Sequence, residues 1–509
     1  TSDLSGDALD GLELTVAADS YDDEVEFVVS SRPITGHSYD DRINPISPLI
    51  GIENGGDYAD EIIAVEVPVE VPEGHFAMGF FYDEDTGTLE GMPLLAEDSS
   101  SVTIGTRHFS DFFISSIAES MISSIAVDSG FRPCADDWQF VNYGSQIAKG
   151  GHCAGQSVAA MWYYYERKVD GEPALYGLYD NYLSDEDETP SLWEDDNLAY
   201  RLASTVQKDL NWGIIARLLR AFRGTDDRLQ MLAFSYAIHV THAPQLVGLI
   251  DSKGGGGHAV VAYKVEAGSI WIADPNYPGT QSAEGKIEYA NGAFKPYRSA
   301  LAADADPTSF DRIGYNAVSA LIDWQAVGAR FSEMEEGAVG DGYFPAYTVS
   351  GASDVLTDRV KLFDGIPFPD PRLDIYVDLD DGLSDAISVL QPGASTLGPR
   401  RASLEEPTIP LAAGENKIGM AIWAASFNAK GKKAYKYIDF YRVTVIYNEV
   451  TIDPITGNPG DDIEITATMP AHVPDGRFEW NFGDGTPIEN LSLEAMHVFA
   501  EKGEYPVRL

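Results

Sequence analysis

Short runs that alternate apolar and polar residues dominate the first 120 positions. The clearest are EVEFVVSS, EIIAVEVPVEVP and AMGFFYDE, and clusters of Gly, Pro and Asp separate them. Alternation with a period of two places one face of a strand in a core and the other in solvent. The pattern therefore predicts a β-sandwich domain over residues 1–120.

A different pattern begins near residue 121 and continues to residue 337. Helical patterns occur in AGQSVAAMWYYYER, NLAYRLASTVQKDL and WGIIARLLRAF, and the last repeats its apolar residues three and four positions apart. Two apolar strands follow, HAVVAY and SIWIA, with a short turn at Glu266-Ala267-Gly268 between them. Helices first and strands later predict an α+β domain over residues 121–337.

Strand patterns return after residue 337, in YTVSG, RLDIYVDL, NKIGMAIWAAS and YIDFYRVTVIY. Their connections are rich in Pro and Gly, as in β-sandwiches, so we expect an immunoglobulin-like domain over residues 338–447. This stretch contains no constellation of acids and bases. We therefore interpret it as a spacer or a binding module.

Residues 448–509 contain FEWNFGDGTP followed by HVFAEKGEYPVRL. Gly483-Asp484-Gly485 suits a tight turn with positive φ, and Trp480 is a natural core side chain for a small sandwich. Both segments resemble the signature of a PKD domain. The resemblance implies a PKD-type β-sandwich over residues 448–509, whose pattern would normally continue a little beyond Leu509.

Charge and composition narrow the function classes. The 509 residues include 81 acidic and 34 basic side chains, for a net charge of −47. Such a charge opposes binding to nucleic acid or to an anionic membrane. No apolar run approaches the roughly 20 residues that span a bilayer, and the chain as given starts without a signal segment. We expect a mature or trimmed form of a secreted or cell-surface bacterial protein, without a transmembrane segment.

Cys153 is the first candidate for chemistry, because it stands where a small-residue loop, GGHC, opens into a predicted helix. Cys134 is the only other cysteine. A cysteine acts as a nucleophile in its thiolate form, which a helix N-terminus and a nearby imidazole stabilise. The first free amides of the helix, from Ala154 onward, would face the sulfur and would suit an oxyanion.

His258 and Asp274 are the candidate partners of that cysteine. His258 begins the strand HAVVAY after four glycines, and Asp274 follows the strand SIWIA sixteen residues later. Antiparallel pairing through a short hairpin brings the start of one strand beside the end of the other. A carboxylate there can fix the tautomer and orientation of the imidazole.

The order GGHC, GHAVV and IWIADPN resembles the papain-like cysteine peptidases, and most closely their bacteriocin-processing branch. The resemblance covers roughly residues 130–290. It implies that Cys153 is the nucleophile, His258 the general base and Asp274 the orienting residue of a peptidase that acts on a peptide or protein substrate. It also implies an oxyanion-hole glutamine, for which Gln146 is the match and Asn142 the nearest substitute.

We therefore expect a multidomain protein, in which an α+β papain-like catalytic domain is flanked by immunoglobulin-like β-sandwiches. These β-sandwiches could bind a cell-surface protein or a polysaccharide. Transglutaminase or amidase chemistry on the same triad, or an inactive adhesin, are the alternatives. Cys153 could instead be an inert thiol or a disulfide partner of Cys134, and Asn276 could replace Asp274. We expect no cofactor and no metal, and we interpret His152 and the pair His239 and His242 as structural.

Overall fold

The structure is a computed structural model that shows a β-rich multidomain protein. More of its described residues lie in strands than in helices. It describes residues 9–56, 58–168, 171–179, 197–210, 226–254, 256–278, 285–300, 307–354, 356, 358–380, 385–390, 408–427, 433–447, 451–468 and 478–509. The described chain divides into two compact units, one ending at Phe344 and the other formed by Pro345–Leu509. The division into four domains stays a prediction.

Two antiparallel sheets form the N-terminal part of the first unit. One sheet has the order β1-β4-β8-β7 and the other the order β2-β3-β9-β5-β6. Alternating burial along β4 matches the sequence pattern, because Ile63, Val65 and Val67 point into the core. The strands are β1 (Glu13–Thr15), β2 (Val28–Arg32), β3 (Leu49–Glu53), β4 (Ile63–Pro68), β5 (His75–Tyr82), β6 (Leu89–Gly91), β7 (Leu94–Glu97), β8 (Ser101–Thr106) and β9 (Phe112–Ala118). A 3₁₀ turn covers Asp40–Arg42, and a short helix, α1, covers Glu119–Ile122.

Within the described residues, the second part of the first unit combines four helices with a seven-stranded sheet. The sheet has the order β15-β14-β13-β12-β11-β18, and β10 also pairs with β12. The strands are β10 (Val127–Asp128), β11 (Gln245–Ile250), β12 (Gly257–Glu266), β13 (Ser269–Ala273), β14 (Lys286–Ala290), β15 (Ala293–Phe294) and β18 (Arg312–Tyr315), with a separate hairpin of β16 (Tyr297–Ser299) and β17 (Thr308–Phe310). The helices are α2 (Cys153–Tyr163), which continues as a π-helical segment over Tyr164–Lys168, α3 (Asn197–Asp209), α4 (Asp227–Thr241) and α5 (Trp324–Glu335).

Helix α4 was not predicted, and its surroundings explain why. Nearly all of its side chains from Leu229 to Val240 are buried, so the helix lacks the polar stripe that reveals an amphipathic helix. It contacts both parts of the first unit. The Tyr236 hydroxyl is hydrogen-bonded to Ser115 Oγ of β9 at 2.7 Å, and one apolar cluster includes residues of the N-terminal sheets, of α4 and of the seven-stranded sheet. These elements of the two parts therefore share one core.

The second unit, Pro345–Leu509, is built from strands. Its first two sheets have the orders β20-β19-β22-β24 and β21-β26-β25-β23, and its smaller sheets are β27-β28-β31 and β29-β30. The strands are β19 (Tyr347–Ala352), β20 (Val360–Lys361), β21 (Ile366–Phe368), β22 (Arg372–Leu379), β23 (Asp385–Leu390), β24 (Thr408–Pro410), β25 (Gly414–Phe427), β26 (Lys433–Tyr447), β27 (Thr451–Ile452), β28 (Asp462–Thr468), β29 (Phe478–Trp480), β30 (Glu489–Leu491) and β31 (Glu494–Val498).

The FGDG segment of this unit has the local geometry that its composition favours. Gly483 and Gly485 both have positive φ, of 75° and 88°. Trp480 is fully buried. His497 Nε2 lies 2.7 Å from Asp484 Oδ2, and the His497 ring stacks on Phe482. The turn is thus fixed to the strand that carries His497.

Candidate active site

Cys153 is the first residue of α2. The preceding loop is held in place through Asn142, whose Oδ1 accepts a hydrogen bond from the His152 main-chain N–H at 2.5 Å. Gly151, with φ of 120°, adopts a conformation that suits glycine and packs closely against Asn142. Cys153 and Cys134 are both free thiols, so the alternative disulfide between them is not formed.

His258 and Asp274 meet at the edge of the sheet. Val261 of β12 pairs with Ala273 of β13, so the start of β12 runs beside the turn that follows β13. His258 Nε2 lies 2.7 Å from Asp274 Oδ1, and both side chains are almost completely buried, with 3% and 1% of their surface exposed. This contact leaves Nδ1 as the ring nitrogen that Asp274 does not occupy.

Charge around His258 favours its protonated form. Burial alone would lower the pKa of His258, but the charge of Asp274, the charge of the Cys153 thiolate and hydrogen bonds to both side chains raise this pKa to about 10. His258 therefore interacts with Cys153 as well as with Asp274. At neutral pH this environment stabilises the imidazolium form of His258.

Asp274 is the centre of a hydrogen-bond network. Its Oδ1 also accepts from the main-chain N–H of Asn276 at 2.8 Å, and its Oδ2 accepts from the Tyr297 hydroxyl at 2.8 Å and from Ser299 Oγ at 2.9 Å. Burial alone would raise the pKa of Asp274, but the charge of His258 and the hydrogen bonds from His258, Asn276 and Tyr297 lower it below its ordinary value. The carboxylate is therefore ionised and fixed in orientation.

The β16–β17 hairpin supplies residues that the sequence analysis missed. Tyr297 and Ser299 lie on β16 and donate to Asp274, and Phe310 on β17 stacks on the His258 ring with the ring centroids 5.6 Å apart. Phe310 is itself buried, so it shields the imidazole from water. The signal available in the sequence was a tyrosine and a serine separated by one residue, 23 and 25 residues after Asp274.

The side chains of Gln146 and Asn142 differ in their hydrogen bonds. Asn142 accepts from the His152 N–H and donates through Nδ2 to Asn276 Oδ1 at 3.1 Å, so its carboxamide is engaged at both ends. Asn142 thereby ties the nucleophile loop to the turn that contains Asp274. The buried Oε1 of Gln146 has no hydrogen-bond partner among the described residues. Gln146 remains the predicted oxyanion-hole glutamine.

The first amides of α2 are not available in the way that we expected. Gln207 Oε1, on α3, accepts hydrogen bonds from the N–H groups of Ala154 at 2.9 Å and Gly155 at 3.1 Å. The expectation that these amides would face an oxyanion is therefore wrong, because a side chain from another helix already occupies them. The Cys153 N–H has no hydrogen-bond acceptor within the part of the chain that the structure describes.

The side chains of the remaining candidate residues bond to groups other than His258. His152 Nδ1 lies 3.1 Å from Ser204 Oγ, and its ring contacts Tyr200. Asn276 donates to Ser299 Oγ rather than contacting His258, and His242 Nε2 lies 2.7 Å from Arg42 Nη1.

Neither a metal site nor a membrane-spanning helix is present among the described residues. They contain no group of three or more His, Cys, Asp or Glu side chains that could hold a metal ion, and none of their helices is long and apolar enough to cross a membrane. The predicted helix at 212–222 lies outside the described ranges.

Comparison with known proteins does not assign the chain to a family. No protein-family model matches the chain, and no curated protein sequence matches it significantly. The geometry around Cys153 is therefore the basis for assigning a function.

Proposed function

We propose that this protein is a cysteine peptidase with a papain-like catalytic domain, in which Cys153, His258 and Asp274 form the triad. The observation that carries the proposal is the position of His258, which bonds to Asp274 at 2.7 Å and interacts electrostatically with Cys153. A thiol, an imidazole and a carboxylate in this order are the parts of a nucleophile, a general acid–base and an orienting group.

The first half of the reaction would form a thioester. The Cys153 thiolate attacks the carbonyl carbon of the scissile peptide bond, and the negative charge moves to the carbonyl oxygen. The Cys153 N–H and the Gln146 carboxamide would donate to this oxyanion. The His258 imidazolium then transfers its proton to the leaving nitrogen, and the C–N bond breaks as the amine departs.

The second half would regenerate the thiolate. His258, now neutral, removes a proton from a water molecule that attacks the thioester carbon. The C–S bond breaks, the substrate leaves as a carboxylic acid, and the thiolate again faces an imidazolium. Asp274 holds the imidazole ring in the same orientation through both halves because its own carboxylate is fixed by Tyr297 and Ser299.

The flanking β modules fit a secreted or cell-surface enzyme. In this proposal the PKD-type and immunoglobulin-like modules bind a surface protein or a polysaccharide, and the catalytic domain cuts a peptide or protein substrate. The net charge of −47 disfavours anionic partners.

The test compares two cysteine variants in hydrolysis of an unstructured protein such as casein and of a peptide library. Cys153→Ala should abolish turnover, whereas Cys134→Ser should retain it, because Cys134 lies outside the network around His258. Iodoacetamide should inactivate the wild type by modifying Cys153. Hydrolysis by Cys153→Ala, or equal and slow alkylation of both cysteines, would refute the proposal. Product formation only when a primary amine is added would instead indicate acyl transfer.

A further inference from the structure

The helix that begins with Cys153 is capped by another helix. The residue at its N-cap position, His152, makes no side-chain hydrogen bond to the first turn. Gln207 of α3 makes these bonds instead, since its Oε1 accepts from both Ala154 N and Gly155 N. Helices usually obtain this cap from a Ser, Thr, Asp or Asn directly before the first turn. Here the cap comes from more than 50 residues away.

The packing of α2 on α3 fixes the position of Gln207. A Cβ atom on Gly155 would overlap the carbonyl oxygen of Ala203 and would lie 2.7 Å from the main-chain nitrogen of Gln207. The two helix backbones are therefore in direct contact at the residue where the cap forms. The Gln207 side chain therefore lies against the first turn of α2, which begins with Cys153.

We propose that Gln207 is a positioning residue that completes the cap of α2 with a neutral acceptor and so keeps negative charge away from the Cys153 thiolate. A carboxylate would satisfy the same two amides and would favour the helix dipole. It would also place a like charge beside the thiolate, and a like charge disfavours ionisation of a thiol. A glutamine stabilises the helix start without this penalty. The proposal depends on Cys153 acting as a thiolate, as in the function proposed above.

The other charged groups near α2 already have partners of their own. On the elements that pack against this helix, His258 is the ionisable group that interacts with Cys153. The remaining ones pair elsewhere: Arg201 with Asp341, Asp209 and Glu333 with Arg330, Lys264 with Glu266, Glu335 with Arg167, Lys168 with Asp136, Glu166 with the indole of Trp324, and Lys208 with the ring of Tyr343. Strand β11 has no ionisable side chain, and His152 bonds to Ser204. Position 207 is thus where a new charge would act on the sulfur.

The experiment measures the rate of Cys153 alkylation by iodoacetamide as a function of pH, in a Cys134→Ser background. Gln207→Glu keeps the shape and the acceptor but adds a charge, whereas Gln207→Met removes the acceptor without adding one. We expect Gln207→Glu to raise the midpoint of the pH profile and to slow alkylation about tenfold at pH values below that midpoint. We expect Gln207→Met to keep the wild-type midpoint, even where its melting temperature falls.

Three results separate the explanations. Equal midpoints for Gln207→Glu and the wild type, with fast wild-type alkylation, would overturn the role of Gln207 and leave the proposed peptidase intact. Equal upward shifts in both variants would also overturn it, because they would indicate a packing effect rather than a charge effect. Slow wild-type alkylation with the profile of an ordinary thiol would overturn both proposals.

Discussion

Replacing Asp274 with asparagine tests the electrostatic basis of the site. The two groups that donate to Oδ2, Tyr297 and Ser299, are hydroxyls that can rotate and accept from a carboxamide, so Asp274→Asn should fold. The charge next to His258 disappears. The pKa of His258, which the site raises from 6.5 to about 10, should fall because Asp274 makes the largest contribution to the increase.

The size of the effect follows from that pKa. The increase corresponds to ~5 kcal/mol in favour of the imidazolium, at about 1.4 kcal/mol for each factor of ten. Loss of half of it, ~2–3 kcal/mol, would lower the equilibrium constant for forming the thiolate–imidazolium pair ~30- to 150-fold. The second-order rate of Cys153 alkylation near pH 7 should fall by the same factor, because the thiolate is the reacting form.

The assay is mass spectrometry of iodoacetamide-treated protein in a Cys134→Ser background. Asp60→Asn serves as the control because Asp60 is an exposed carboxylate outside the site, and this variant should react at the wild-type rate. A decrease of less than fivefold in Asp274→Asn, in a variant that retains the wild-type melting temperature, would refute the proposed coupling between Asp274, His258 and Cys153.

Two further predictions concern stability. Gly155→Ala should lower the melting temperature by ~2–10 °C, because overpacking costs ~1–3 kcal/mol where α2 touches α3. In calorimetry the control Gly150→Ala, whose Cβ would meet open space, should melt near the wild-type temperature. Equal melting temperatures for both variants would contradict the close approach of the two helices. The raised pKa of His258 contributes stability that is complete below pH 6.5 and is lost as the pH rises from 6.5 through about 10. Urea unfolding at pH 6, 8 and 10 should therefore show the advantage of wild type over His258→Gln shrinking with pH, and a constant or growing advantage would contradict this assignment.

Local sequence patterns were enough to predict part of this arrangement. The proximity of His258 and Asp274 follows from two apolar strands joined by a short turn, because antiparallel pairing leaves few positions for their ends. The helix start at Cys153 also follows from the small-residue loop before the apolar pattern. These relations involve neighbours along the chain, and the geometry of a hairpin or a helix start fixes them.

Relations that depend on tertiary packing could not be predicted in this way. Gln207 caps α2 because two helices touch at Gly155, and no spacing in the sequence encodes that crossing. Helix α4 was missed since it is buried on all sides, which removes the periodicity that marks a surface helix. Phe310 reaches His258 only because the β16–β17 hairpin folds back over the ring.

The core that the N-terminal sheets share with α4 affects how this chain emerges from the ribosome. The sheets end at Ala118, but the helix that fills their core ends at Thr241, more than a hundred residues later. At a rate of synthesis of about 5–20 residues per second, an apolar face such as the one around Phe76 and Phe80 would stay exposed for on the order of ten seconds before α4 is complete. During that interval it is a natural binding surface for a chaperone, and a nascent chain shortened before α4 would keep it exposed.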